Sequence, residues 1–277
     1  MPVLSSALIA AALAADARGR IAEMERAASA VRDYTMTLVS RQYQDGALGT
    51  EQVMTAKWSR PFRVYYRRLS KPNAGREILW SPEENDGKIL VSLNTWPNIK
   101  LDIDPHGRLA MKGTRHPVDG SSLVDIVALV ATNYRRAEAR GEAEASLLGQ
   151  GEIAGRACER VRLEAEPEES LDTIGPEETL WDVARRRGIA IPTLLHANRS
   201  LGWRTPADAR PGQTIVVPRY DASRVDLCLD RELRLPLLVE IYDREGLLVD
   251  RFEHRDLRVN VGLSSMDFSP ENPDYRF

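Results

Sequence analysis

The chain has 277 residues and is 43% hydrophobic, enough to bury a sizeable core and to form one large domain or a large and a small one. Lys+Arg (38) and Asp+Glu (41) nearly cancel, so no global positive field exists and nucleic acid is excluded as a general partner. No internal run reaches eighteen apolar residues, which excludes a transmembrane helix in the body of the chain.

Residues 1–30 read in more than one way. Val3 to Ala15 is apolar and ends in Ala12-Leu13-Ala14, the size and small-residue ending of a signal-peptide core, but no basic residue precedes Arg18. The same stretch also fits an Ala-rich helix opened by Ser5 or Ser6, running to about Ala30 and packing on a sheet, or the remnant of a longer signal.

From Asp33 to Gly113 short alternating segments predict strands over 34–41, 50–59, 62–68, 77–80, 88–93, 99–103 and 108–112. The breaks carry Asp45-Gly46, Pro61, Lys71-Pro72-Asn73, Asp86-Gly87, Trp96-Pro97 and Pro105-His106-Gly107, each suited to reversing the chain. The pattern is that of an antiparallel meander. Next, Ser121 or Ser122 caps a helix whose Leu123, Ile126, Val127, Val130 and Tyr134 recur at three and four. Strands resume over 146–161. At Glu166-Pro167-Glu168-Glu169 they break off into a compact unit over 171–218, and period-two strands return over 224–230, 237–242 and 247–257. The parsing is one β-domain, 31–166 and 222–277, whose chain detours through a small insert.

Cys158 and Cys228 are the only cysteines. Ala157, Val161 and Leu163 share one face of the first strand, and Val225, Leu227 and Leu229 one face of the second, so both cysteines fall on the opposite, polar faces. Two neighbouring strands carrying them would permit a cross-strand disulfide and imply an oxidising compartment; two free thiols are the alternative.

Within the insert, Asp172-Thr173-Ile174 reads as a short strand and Thr179 with Asp182 as a capping box opening a helix that Gly188 ends. Pro192 suits the first turn of a second helix, and Pro211-Gly212-Gln213 turns into the strand 214–217. Ile174, Thr179-Leu180-Trp181-Asp182-Val183-Ala184, Gly188-Ile189, Leu194-Leu195, Asn198 and Arg210-Pro211-Gly212-Gln213-Thr214-Ile215-Val216-Val217-Pro218 resemble a LysM domain over its whole length. The resemblance implies a groove for N-acetylglucosamine-containing glycan, peptidoglycan or chitin, formed by Glu177, Glu178, Thr179 and Leu180 on one side and Asn198, Arg199, Ser200 and Leu201 on the other. That family usually has Gly-Asp where this chain has Glu177-Glu178, so a groove that keeps its sugar and a module that has lost it are both compatible with the residues.

Flanking segments carry Asp33-Tyr34-Thr35, Lys57, Pro61-Phe62-Arg63-Val64-Tyr65, Gly75-Arg76-Glu77, Arg115-His116-Pro117, Leu235-Pro236 and the tail Asp267-Phe268 with Asn272-Pro273-Asp274-Tyr275-Arg276-Phe277. These residues resemble domain-of-unknown-function family 1571, related to LolA-like lipoprotein carriers. The implied fold class is α+β: a curved antiparallel sheet, an incomplete barrel covered by helices, with the βααβ LysM unit inserted. On this expectation Tyr34, Met36, Leu38, Phe62, Val64, Tyr66, Leu237, Val239 and Ile241 line a cavity for a lipid, lipoprotein or other apolar ligand; the same stripes also fit a filled core.

Catalysis is not expected. His106, His116, His196 and His254 are scattered without zinc-ligand spacing, and no nucleophile elbow or phosphate loop occurs, so no cofactor or metal is assigned. The sequence therefore points to an exported, periplasmic or wall-associated binding protein with peptidoglycan as partner, or else to an envelope assembly factor that contacts proteins.

Overall fold

Helix α1 (Ser6–Ser29) leads into β1 (Asp33–Gln44), and from there a meander continues through β2 (Ala47–Leu48), β3 (Gln52–Ser59), β4 (Arg63–Arg68), β5 (Glu77–Trp80), β6 (Ile89–Ser92) and β7 (Lys100–Ile103). The computed structural model describes residues 6–44 and 46–277, with α1 side chains from Asp16 onward, so Val3, Ser5 and the Asp45 of the first predicted turn lie outside the described residues. Helix α2 (Leu123–Glu138) follows, then the hairpin β8 (Ala143–Ile153) and β9 (Arg156–Ala165). After the insert come β12 (Arg224–Asp230), β13 (Pro236–Tyr242) and β14 (Leu248–Val259). No described helix is long and apolar enough to cross a membrane.

Among the described residues twelve strands form one antiparallel sheet in the order β7-β6-β5-β4-β3-β1-β14-β13-β12-β9-β8, with β2 hung on β1. Its ends do not meet, so among the described residues the barrel is incomplete. Alternation explains the layering. Tyr34, Met36 and Leu38 of β1, Ala56 and Trp58 of β3, and Val64 and Tyr66 of β4 point into one core. Helices α1 and α2 roof that face with Ala17, Ile21, Met24 and Ala28 from the first and Leu123, Ile126, Val127 and Val130 from the second. Ser122 caps α2: its hydroxyl accepts from Asp125 N (3.1 Å) while Asp125 accepts from Ser122 N (3.1 Å).

Two sequence expectations need correction. Residues 108–112 are a turn rather than a strand: Met111 N donates to Gly107 O (3.1 Å) and Gly113 adopts φ +85°. In β13, pairing slips between Cys228/Leu238 and Leu229/Pro236, so Leu237 occupies a bulge. The bulge puts its side chain against Cys158 and Cys228, away from Val239 and Ile241 in the main core.

His254 of β14 is buried, with Nδ1 2.7 Å from Pro236 O. Burial pushes its pKa from 6.5 down to about 4. An unfolded chain takes up this proton below pH 6.5 and the folded one refuses it until about pH 4. Stability is therefore full above pH 6.5 and declines as pH falls toward 4; His254 alone should remove about 2.5 kcal/mol by pH 4.5. His196, also lowered by burial, adds to the loss, whereas Asp221, pushed up by burial, opposes it. Urea midpoints at pH 7.5 and 4.5 check this, and a midpoint that does not fall would mean the imidazole is charged in the fold.

Candidate functional site

The insert folds on its own small sheet, β10 (Glu169–Thr173) paired antiparallel with β11 (Thr214–Pro218), and two helices, α3 (Leu180–Arg187) and α4 (Ile191–Ala197). Thr179 caps α3: its hydroxyl donates to Asp182 Oδ2 (2.6 Å) and accepts from Asp182 N (3.3 Å). Gly188 ends the helix at φ +63°, the left-handed conformation a side chain would strain. Ile174, Leu180, Val183, Leu194, Ile215 and Val217 fill the space between helices and sheet.

Of the eight predicted glycan contacts, the structure turns some outward and others in. Glu177, Thr179, Arg199, Ser200 and Leu201 are exposed, Leu201 at 47%, which suits an apolar patch beneath a sugar ring. Leu180 is a core residue. Asn198 is buried: its amide donates to Leu194 O (2.9 Å) and Val216 O (2.8 Å), and its oxygen accepts from Val216 N (2.8 Å). That side chain holds α4 to β11, and both of its N–H donors are spent within the fold. Glu178 folds back on its own loop, accepting from Gly175 N (2.9 Å) and from Arg186 Nε (2.9 Å), and the Arg186 hydrogen bond holds its carboxyl below the usual range. Arg199 reaches out of the insert to Glu245 on the β13–β14 turn (2.7 Å).

The residues that dock the insert on the larger domain come from segments far apart in sequence. Met111, from the loop read as a strand, is buried among the insert's core residues. In the same loop His106 lies 4.3 Å from the Trp181 ring, and Arg108 pairs with Asp208 (2.9 Å). Beyond β11, Asp221 accepts from Ala190 N (2.7 Å) and its own N–H donates to Asn133 Oδ1 (2.6 Å). His196 of α4 bonds Asp243 (2.8 Å), with the Tyr43 ring edge-on at 4.9 Å. Behind this contact Arg115 and His116 lie 3.2 and 3.3 Å from the buried Asp250. Burial works to raise the Asp250 pKa, and the charges of Arg115 and His116 override it and hold it low. A Met beside a Pro-His-Gly turn was the available hint, since an apolar residue in a turn needs a partner to cover it.

Eight of the nine predicted cavity residues sit on the helix-covered face. Tyr34, Met36, Leu38, Val64, Tyr66, Val239 and Ile241 are buried in the main core and Phe62 packs against it; Leu237 is the exception explained by the bulge. Tyr34 is fixed at both ends of its side chain, its ring stacked on Trp58 (5.5 Å) and its hydroxyl accepting from Leu123 N (3.1 Å).

Cys158 and Cys228 are bonded. They lie diagonally, Cys158 opposite Asp230 and Cys228 opposite Arg160, and are buried at 0% and 3% rather than solvated. Leu237, Ile153 and Leu238 cover them, and Gly151, whose Cβ would sit 3.1 Å from Cys228 Sγ, leaves room.

Fold and insert define the class: an α+β protein with an open antiparallel sheet carrying a LysM domain, whose profile matches residues 173–218. The chain belongs to the family of proteins of unknown function DUF1571, whose profile matches residues 31–189 and 214–277. No curated protein matches it. Among solved structures it is similar to the MucA/MucB complex of Pseudomonas aeruginosa (13% identity, TM-score 0.44), over 92% of this chain and 60% of that one. The chain thus spans about 60% of the length of that relative. It is also similar to the lipoprotein LppX of Mycobacterium tuberculosis (9%, 0.44; 90% and 98% covered). A LolA superfamily protein from Nitrosomonas europaea is a further likeness (11%, 0.34; 91% and 97%).

Proposed function

We propose that the chain is an exported cell-envelope protein, periplasmic or wall-associated, that binds without turnover. Its insert takes N-acetylglucosamine-containing peptidoglycan glycan, and its larger β-domain takes a lipid, lipoprotein or other apolar ligand. The observation that carries the reading is the LysM match over residues 173–218 together with an outward rim of Glu177, Thr179, Ser200 and Leu201. The disulfide supports an oxidising compartment. An apolar ligand in the β-domain would lie between the sheet and the helices, where α1 contributes the small Ala17 and Ala28 and the larger Ile21 and Met24. A second reading, an assembly factor with protein partners, is favoured by the side chains that already fill the space beneath the helices.

The test is co-sedimentation of the whole chain with purified sacculi, because Met111 lies outside the matched residues and completes the insert's core. Wild-type protein is expected in the pellet, and Leu201→Asp should weaken retention by about tenfold. Equal recovery of both in the supernatant overturns the glycan reading. Solvent extraction of the purified chain, read by mass spectrometry, distinguishes the two roles of the larger domain: stoichiometric lipid supports the carrier, and its absence supports the assembly factor.

A further inference from the structure

The sheet has a second face. Because Tyr34, Met36 and Leu38 enter the core, Thr35 and Thr37 between them point away from the helices. On that side a trough of about 620 Å³ crosses β4, β3, β1 and β14, within the size range of small-ligand sites.

Strand register sets out its floor in two rows. Arg258, Thr35, Lys57 and Tyr65 lie opposite one another on four consecutive strands, and so do Thr37, Thr55 and Arg67 on three. With strands about 4.8 Å apart, Thr35 sits midway between Arg258 and Lys57, and the long Arg258 side chain can reach above it. Its far wall is the C-terminal tail, and that wall is firmly built. The Tyr275 ring stacks on Tyr65 at 3.9 Å, Lys57 pairs with Asp267 (2.7 Å), and Tyr275 donates to Asp267 O (2.6 Å). Glu77, fully buried, accepts from Tyr65 (3.2 Å) and from Arg276 N (2.6 Å), anchoring the last residues.

The cations of the trough are unequally paired. Lys57, Arg67, Arg68 and Arg258 line it with Asp256 and Asp274, and Lys57 is already paired with Asp267 of the wall. Asp256 accepts from Thr37 (3.3 Å), and the Glu77 carboxylate lies 3.7 Å from Arg67 as its counter-charge. Arg258 is exposed and has no side-chain partner among the described residues. Arg68 of the lining donates to Gln52 (2.6 Å) and lies beside Arg76, whose Nε is buried without a hydrogen-bond partner among the described residues.

We propose that this trough binds a small amphipathic anion: a carboxylate or phosphate held above Thr35 by Arg258 and its neighbours, on a body of sugar or short-peptide size. Threonine methyls and the Tyr275 ring supply the flat apolar bed on which such a body rests, and the hydroxyls of Thr35 and Thr55 supply donors that discriminate for oxygen. The site is separate from the LysM insert and does not depend on it.

Calorimetric titration of the whole chain tests this with three probes: N-acetylmuramoyl dipeptide for carboxylate, glycerol 3-phosphate for phosphate, and neutral chitotetraose. One of the two anions is expected to bind, with weaker binding at high salt. Which of them binds names the source of the oxyanion. Arg258→Glu, at an exposed position, should weaken that anion by about tenfold, and the near-isosteric Thr35→Val should weaken it by a smaller factor. Chitotetraose affinity should be the same in all three proteins; its loss from the wild type would count against the insert's reading and leave the trough untouched. Failure of both anions to bind wild-type protein, or binding that neither substitution alters, overturns the proposal.

Discussion

Replacing Asp250 by alanine will destabilise the protein by about 3–5 kcal/mol. The carboxylate is buried between Arg115, 3.2 Å from Nε, and His116, whose Nε2 lies 3.3 Å away outside hydrogen-bonding geometry and has no other partner among the described residues. Asp250 gains little from the arrangement as a whole, because removing both charges from water costs roughly what their attraction returns. Alanine breaks that balance from one side, leaving a guanidinium that is 8% exposed with its carboxylate gone. Asparagine, which keeps the oxygen and loses the charge, should cost less. The double replacement Arg115→Met with Asp250→Leu should recover most of the loss, since apolar groups of similar volume remove both unpaired partners together. Urea unfolding followed by far-UV circular dichroism measures all four proteins. A single alanine variant within about 1 kcal/mol of wild type would show that water reaches the pair. The cluster also backs the surface on which His196 and Asp243 meet, so loosened docking of the insert should accompany the loss.

Removing the Cys158–Cys228 bridge is the second large effect. It closes 70 residues, for which chain entropy predicts about 4 kcal/mol, falling to about 3.5 kcal/mol if the insert stays folded while the larger domain opens. The double variant Cys158→Ala with Cys228→Ala should show this under non-reducing conditions, where wild type keeps its bond. Both sulfurs are buried beneath Leu237 and Leu238, so a reductant should act slowly on the native state and faster in urea. Equal stability of variant and wild type would mean the open chain is already held compact by other contacts.

Local chemistry was legible in the residues and long-range geometry was not. Thr179 with Asp182, Ser122 near Asp125, and Gly188 announce helix ends because a cap is a contact between residues three or four apart. Alternation likewise exposed β1, β3 and β4, and the matched polar faces of β9 and β12 set Cys158 and Cys228 within reach. Residues 108–112 alternate too, yet Met111 finds its cover in the insert, and period cannot say which element supplies it. Leu237 shows the same limit, since one extra residue against β12 reverses the face that parity assigns. Among the candidate glycan contacts, Asn198 lies buried, and an amide in a loop gives no sign that α4 and β11 will take both its donors. The trough was invisible for a related reason: Arg258, Thr35 and Lys57 are far apart in sequence and meet only through register.

The way the insert is spliced in has a mechanical consequence. Its two ends leave the main sheet side by side, at Glu164 and Arg224, where β9 and β12 begin to pair. Tension drawn through the insert, once its docking gives way, peels these strands apart rung by rung and meets the bidentate Arg162–Asp226 pair (2.7 and 2.9 Å) after two rungs. Further along stands the covalent rivet between residues 158 and 228, which tearing cannot pass. A tether pulling on the insert therefore frays a few residues of the seam while the remainder of the sheet stays closed under load.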